Sequence, residues 1–295
     1  MTLSSPEHSK ISPTAKVVAY WRQFSDIPFA HEVAEMVQAE EVFKTFLEKT
    51  DVSLESLSWF APLIEARYKS MVHAIRRENI QQVLELASGV SLRGLAMTSD
   101  PEITYVETDL PGMSSEKKAI VQKIRERHHL PQSSSLYFRE ANVLNLKELD
   151  EATLPFFENR PIAVIHEGLF QYLSLEEKKI AAENIRSILK RFGGVWMTPD
   201  LNTKQDLDTQ WTSSSTAKQM TDSIKNATQR DFRESAFEDA AHIQDFFGKL
   251  GFEVQDFPQM DNSFELSSAK NLNISKEAVD TYTSALKIWC LRLKN

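Results

Sequence analysis

"VLELASGVSLRGL", residues 83–95, decides how the rest of the chain is read. An apolar run breaks at a small-residue turn, Ala87-Ser88-Gly89, and apolar residues then resume at helical spacing. Strand, tight turn and helix in that order open a nucleotide-binding α/β fold. The turn is poor in glycine, however. A dinucleotide fingerprint asks for G-x-G-x-x-G, and the three places hold Ala87, Gly89 and Leu92.

Downstream of this stretch the strand-like runs recur: "ITYVETD" (103–109), "SLYFREANV" (135–143), "PIAVIHEGL" (161–169) and "GVWMTPDL" (194–201) follow "QVLELA" (82–87). Helical segments separate them. In "SLEEKKIAAENIRSILKRFGG" (174–194), Ser174 and Glu177 form a capping-box signature, Ile180, Ile185, Ile188, Leu189 and Phe192 make an apolar stripe, and Gly193 is placed to end the helix. This alternation predicts parallel strands with crossover helices on both faces of a sheet. Upstream, residues 14–78 read mostly as helix, with apolar residues at three-and-four spacing in "AHEVAEMVQAEEVFKTFLEK" and "LIEARYKSMVHAIRR". Beyond 201 the rhythm lapses. Residues 202–235 are polar and rich in serine and threonine around Trp211, and form either a lid or a surface excursion. A helix, "FEDAAHIQDFFGKL", then leads to "FEVQDF" and the terminal "ALKIWCLRLK", which read as an antiparallel hairpin with no helix between its strands. The expected organisation is a helical cap over 1–80 and an α/β domain over 81–295 with an insert at 202–235.

Composition narrows the partners. Among 295 residues, 41% hydrophobic and 26% charged suits an ordinary globular core. Asp plus Glu exceed Lys plus Arg, 42 to 34, for a net charge of −8, which argues against nucleic acid as the main partner. The single cysteine, Cys290, excludes an internal disulfide framework and lies in an apolar stretch, where an inert buried thiol is the expectation. No apolar run approaches membrane-spanning length and the N-terminal stretch lacks an apolar signal region, so a soluble, cytoplasmic protein with no membrane contact is expected. Nothing in the sequence specifies an oligomeric state. With only eight glycines where average usage gives roughly twenty, each should stand where the backbone needs it.

In an open α/β sheet ligands bind beyond the carboxyl ends of the strands, beside the first one. The residues there are Glu85, Ala87, Ser88, Gly89, Glu107, Asp109, Asn142, His166 and Glu167. Asp109 stands 20 residues beyond Gly89, near the separation expected for a carboxylate that grips ribose hydroxyls. A pyrophosphate needs close backbone approach at several points, which this turn does not offer, so NAD is disfavoured. A ligand with ribose and adenine but no phosphate tolerates the change. S-adenosyl-L-methionine is one such ligand, and spacing alone leaves other nucleotides open.

Five segments together resemble the leucine carboxyl methyltransferase family, which includes bacterial O-methyltransferases of small molecules. "ISPTAKVVAYWR" (11–22) resembles its N-terminal "TA" and "YW" segment. "ELASGVSLRGL" (85–95) resembles its E-L-G-x-G-hydrophobic-D-T-R loop, and "YVETDLPGM" (105–113) its acid-hydrophobic-D-hydrophobic-P motif. "ANVLNL" (141–146) stands at the A-D-L-x-x-L position and "HEGLFQYLS" (166–174) at E-G-hydrophobic-x-x-Y-L. The resemblance implies a Rossmann-like class I methyltransferase: a seven-stranded, mostly parallel sheet with the last strand antiparallel, under an N-terminal helical cap. It implies that Gly89 and its neighbours line the methionine part of S-adenosyl-L-methionine, that Asp109 holds the ribose, and that Asn142 and Val143 border the adenine. It further implies that Glu167 lies beside the methyl donor and that Lys16 and Arg67 reach its carboxylate. This chain departs from the family at Ala87, in place of a glycine, and at Ser91 and Asn142, each in place of an aspartate.

The chemistry that follows is methyl transfer to a carboxyl or hydroxyl oxygen of a small-molecule acceptor. A carboxylate needs no general base, whereas a hydroxyl gains from one. His166, at a strand end, is the candidate base, or else a strand histidine hydrogen-bonded to backbone. Tyr172 either contacts substrate or is a half-buried core residue. Arg67 reaches the methyl donor or pairs with Glu65 or Glu78. His128 and His129 lack a third ligand at metal-binding spacing. A second function class stays open, a methyltransferase-fold binding protein without turnover, because of Ala87 and Ser91. An oxidoreductase is disfavoured by the missing glycines.

Overall fold

A computed structural model describes residues 12–48, 52–53, 55–211, 219, 222, 225–226, 231–259, 264–283 and 286–294. Its strands are β1 (Gln82–Leu86), β2 (Thr104–Asp109), β3 (Leu136–Glu140), β4 (Ile162–His166), β5 (Gly194–Thr198), β6 (Phe252–Pro258) and β7 (Lys287–Leu293). They form one sheet in the order β3-β2-β1-β4-β5-β7-β6. The first five are mutually parallel, and β7 runs antiparallel to both β5 and β6. Strands buried on both faces read as continuous apolar runs, and here alternate residues serve opposite layers. Val83, Tyr105, Ile165 and Met197 point into one hydrophobic cluster, while Leu84, Val106, Val164 and Trp196 point into the other.

The first layer is the helical N-terminal region: α1 (Ser12–Arg22), α2 (Ala30–Met36), α3 (Ala39–Leu47) and α4 (Phe60–Arg77). Tyr20, Trp21, Phe43 and Phe60 knit α1, α3 and α4 together and share a cluster with sheet residues Val83 and Ile165. Between strands run α5 (Arg93–Met97), α6 (Pro111–His128), α7 (Leu146–Ala152), α8 (Leu175–Phe192), α9 (Lys204–Trp211) and α10 (Ala240–Lys249). Helix α8 has the expected ends. Ser174 Oγ accepts the Glu177 N–H (3.2 Å), the Glu177 carboxylate accepts the Ser174 N–H (2.8 Å), and Gly193 closes the helix at φ 72°.

Three features differ from the sequence reading. The last two strands pair antiparallel as expected, but α11 (Ser267–Asn271) and α12 (Lys276–Thr283) lie between them, so they are not a simple hairpin. These helices are short and mostly polar, and left too little apolar period to be read. Strands β3 and β5 stop three residues early, where side chains take over the backbone: Asn142 Oδ1 accepts the Leu144 N–H, and Thr198 Oγ1 the Asp200 N–H. The 202–235 stretch begins with α9 and returns through a bridge between Thr203 and Phe237. The expectation for the Trp211 side chain, and for most of 212–230, lies outside the described residues. Among the described residues no helix is long and apolar enough to cross a membrane.

Candidate functional site

The tips of β1, β2 and β4, the turn after β3 and one face of α1 enclose a cavity of about 610 Å³, within the ~300–1,000 Å³ of small-molecule sites. It lies where strand order reverses, between β1 and β4, as expected of a parallel sheet.

The turn after β1 forms one wall. Ala87 (φ 50°) and Gly89 (φ 54°) both adopt the left-handed conformation, at a cost to alanine of roughly 1–2 kcal/mol. Several of the N–H groups here are already engaged. Ser88 donates to Thr108 O (3.0 Å), Ser91 to Ser88 O (3.3 Å), and Gly89 to Asp109 Oδ2 (2.7 Å). At α5, Gly94 donates to Glu107 Oε1 (3.0 Å), and a Cβ at Gly94 would lie 2.5 Å from that oxygen. A phosphate cradle needs such N–H groups free. Two carboxylates and two backbone carbonyls hold these four instead, so the turn is poorly suited to a diphosphate.

Asp109 ends β2 on the cavity wall, and its Oδ1 also accepts the Leu110 N–H (2.8 Å). Burial raises its carboxyl pKa against the pull of the two N–H bonds. Remaining lone pairs on these oxygens suit hydroxyl donors. Glu107, two residues earlier, is buried against Lys117 (2.7 Å), off the wall; burial pushes its carboxyl up to about 7. Asn142 and Val143, past β3, line the cavity as well.

The charged end gathers around Glu167, which accepts from Arg22 (2.7 Å) and Arg93 (2.5 Å) and has Arg67 Nε at 4.0 Å. Burial alone would raise the Glu167 carboxyl, but the guanidinium groups of Arg22, Arg93 and Arg67 hold it at about 2. Fully buried Arg93 also pairs with Glu85, and its guanidinium lies 4.7 Å from the centre of the Tyr68 ring. Arg67 reaches past Glu167 to Asp200 (3.2 Å). Three guanidinium groups thus face the carboxylates of Glu85, Glu167 and Asp200. Arg22 Nε, Arg67 Nε and Ser91 Oγ are buried without a hydrogen-bond partner, and all three residues line the cavity. Buried polar atoms are normally paired, so these three fit the polar, charged end of a ligand.

Of the residues expected from sequence, Glu85, Ala87, Gly89, Asp109, Asn142, Val143, Glu167, Arg67 and Tyr172 meet at this cavity. Tyr172 is both wall and core: its hydroxyl donates to Thr14 Oγ1 (3.0 Å) and its ring meets Phe232 edge-on. Neither Glu65 nor Glu78 partners Arg67; Glu65 caps Ser267 and Ser268, and Glu78 pairs with Arg292.

Two expectations need correction. His166 is off the wall. It is fully buried, stacked on Phe170 at 4.5 Å, with Nδ1 2.9 Å from Asp200 Oδ2 and 3.1 Å from Thr198 Oγ1. At a strand tip successive side chains take opposite faces, and Glu167, not His166, has the cavity side. Lys16 is likewise not a lining residue. Its ammonium pairs with Glu116 (2.7 Å), which does line the cavity. His128 pairs with Glu32 (2.9 Å), and among the described residues no group of three potential metal ligands occurs.

The model of the family described as leucine carboxyl methyltransferase matches residues 29–186, more than half of the chain. This chain belongs to the leucine carboxyl methyltransferase family. No curated protein matches it in sequence. Among solved structures, a DUF574 family protein from Streptomyces avermitilis shares the fold with a TM-score of 0.58 at 15% identity, covering 95% of this chain and 97% of that one. A candidate methyltransferase from Thermobifida fusca does so at 0.54 and 13%, covering 95% and 94%. Magnesium protoporphyrin IX methyltransferase from Synechocystis, solved with bound S-adenosylhomocysteine, scores 0.50 at 11%, covering 87% and 95%. The sheet is thus that of a class I Rossmann-like methyltransferase.

Two residues of this family member's site escaped the sequence reading. Arg22 had a signal: Thr14, Ala15, Val18 and Arg22 follow one helical stripe onto the cavity, and Lys16 falls off it. Asp200 had only its position just past a strand end.

Proposed function

We propose that this protein is an S-adenosyl-L-methionine-dependent O-methyltransferase acting on a small molecule. The observation that carries the reading is the pairing of Asp109, at the tip of β2, with a turn whose Ser88, Gly89, Ser91 and Gly94 N–H groups are already taken. That wall suits a ribose and disfavours a diphosphate. In this reading Asp109 holds the ribose hydroxyls, Asn142 and Val143 flank the adenine, and Arg67 and Arg22 face the amino-acid carboxylate. The unpartnered atoms of Arg22, Arg67 and Ser91 are the places left for that group. When bound, the methyl donor supplies an electrophilic methyl on a sulfonium; the acceptor oxygen forms the new bond as sulfur keeps the bonding pair. The chain's own work is to orient the two partners and exclude water.

Among the described residues no histidine lines the cavity, and Glu167 is held ionised between guanidinium groups. An acceptor that arrives as a carboxylate needs no proton removed, so a carboxyl oxygen suits this wall better than a hydroxyl. In this reading helices α1 to α4 form the cap over the acceptor side.

The test is calorimetry with S-adenosylhomocysteine, followed by an assay of its release from S-adenosyl-L-methionine across small carboxylic acids and phenols. Release with an acid supports the reading. Binding without release from any acceptor points to the silent binder, and no binding at all overturns the assignment of the cavity.

A further inference from the structure

We infer that Asp200, from outside the cavity wall, is a positioning residue: its one carboxylate fixes both Arg67 and the Gly168–Phe170 turn, and so sets affinity for the amino-acid end of the methyl donor. The inference rests on the cavity being an S-adenosyl-L-methionine site.

Asp200 lies two residues past β5, its side chain 1% exposed, and it is not among the lining residues. Its Oδ1 accepts the Gly168 N–H (2.9 Å) and Arg67 Nη2 (3.2 Å). Its Oδ2 accepts the N–H groups of Leu169 (2.7 Å) and Phe170 (3.2 Å) and lies 2.9 Å from His166 Nδ1. Three successive N–H groups converging on one anion make a nest, and Gly168 closes it at φ 78°. Asp200 is itself tethered, because Thr198 Oγ1 accepts its N–H (3.0 Å).

Two parts of the wall hang on this one group. The nested turn joins Glu167 to Leu169, Gln171 and Tyr172, all on the cavity. Arg67 arrives from α4, and among the described residues Asp200 is the only hydrogen-bond partner of its guanidinium. Glu167, at 4.0 Å, is beyond hydrogen-bond reach and already shared by Arg22 and Arg93. A carboxylate that merely braced the core would, when neutralised, weaken all ligands alike. One that aims Arg67 should discriminate between ligands with and without the amino-acid group.

The experiment compares S-adenosylhomocysteine, which carries that group, with adenosine, which lacks it. Affinities are measured by calorimetry on the full chain, for wild type, Asp200→Asn, Arg67→Ala and the double variant. Asp200→Asn is expected to weaken S-adenosylhomocysteine about tenfold or more and adenosine less than about twofold, since hydrogen bonds to charged groups are worth that much. On the Arg67→Ala background the further loss should fall below about threefold, because coupled residues are not additive. Equal losses for both ligands, or a full further loss on the Arg67→Ala background, overturn the inference. Should Asp200→Asn not fold, Thr198→Val unseats the same carboxylate more gently. It should cost S-adenosylhomocysteine about threefold and adenosine nothing measurable, and no selective loss overturns the inference. Hydrogen exchange of the Leu169 and Phe170 amides in ligand-free protein separates the two ideas. Exchange about tenfold faster in Asp200→Asn upholds the nest, and unchanged exchange overturns it. A wild type that binds no S-adenosylhomocysteine instead overturns the proposed function.

Discussion

The two halves of the cavity are built differently. The half formed by strand tips carries Glu85, Gly89, Asp109, Asn142 and Glu167, each tied to a named partner within hydrogen-bond distance. The half formed by α1 and the turn after β4 presents Ala15, Val18, Leu169 and Leu173, with Tyr172 bonded to Thr14. The first half is a fixed array of charges and hydrogen bonds; the second is chiefly shape. Such a division suits an enzyme whose methyl donor never changes and whose acceptor is chosen by fit. Removing a charged or hydrogen-bonding side chain at the strand tips should therefore weaken binding of the donor, whereas changes among the apolar residues of the helical side should alter which acceptor is used.

The largest expected effect is at Asp109. Asp109→Ala removes the proposed ribose contact and leaves the Gly89 N–H unpaired. Two hydrogen bonds to a charged group are together worth ~100-fold in affinity. Calorimetry with S-adenosylhomocysteine checks this, and wild-type affinity in the variant would remove Asp109 from the ribose.

Glu167 tests whether the fixed half is fixed by charge. Its folded value of about 2 lies below the ordinary 4.5. A carboxyl lowered on folding stabilises the native state above its unfolded pKa, and that contribution fades as pH falls toward the folded one. For this gap it is ~3 kcal/mol. Denaturant titrations of wild type and Glu167→Gln should differ most near neutral pH, the difference shrinking below pH ~4.5 and vanishing only below pH ~2. A difference that stays constant with pH would show that shape, not charge, sets Glu167's contribution.

His166 marks the boundary between cavity and core. His166→Asn should lower stability by ~1–3 kcal/mol, because Asp200 loses a buried partner. The pH dependence of turnover should keep its shape, since the ring does not reach the cavity. A lost acidic limb would return the histidine to the role of base.

What the sequence made legible follows from the same division. Short motifs at strand ends map directly onto tips, because a strand's apolar run announces where it stops. Thus Gly89, Asp109, Asn142 and Glu167 were placed from spacing and motif, and the parallel sheet followed from alternation, though not its strand order. The choice between His166 and Glu167 was not legible, because it turns on which neighbour faces the cavity as the pleat ends. Lys16 and Arg22 both belong to an amphipathic helix, and only its docking angle shows which one looks inward. Asp200 was hidden for another reason. Its partners are backbone N–H groups at 168–170 and a guanidinium 133 positions upstream, and no local pattern encodes that meeting.

The smallest expected effect is the most discriminating for the turn itself. Ala87 occupies φ 50° and lines the cavity, at the place where the family motif it resembles has glycine. Ala87→Gly removes left-handed strain of roughly 1–2 kcal/mol. It also gives the unfolded chain more freedom, offsetting ~0.5–1 kcal/mol of that gain, so thermal stability should change by only a few degrees at most. Affinity for S-adenosylhomocysteine should rise by about two- to fivefold, the value of one relieved contact. If affinity falls instead, the methyl is a useful part of the wall, and the departure from the family's glycine is an adaptation of this site to its ligand.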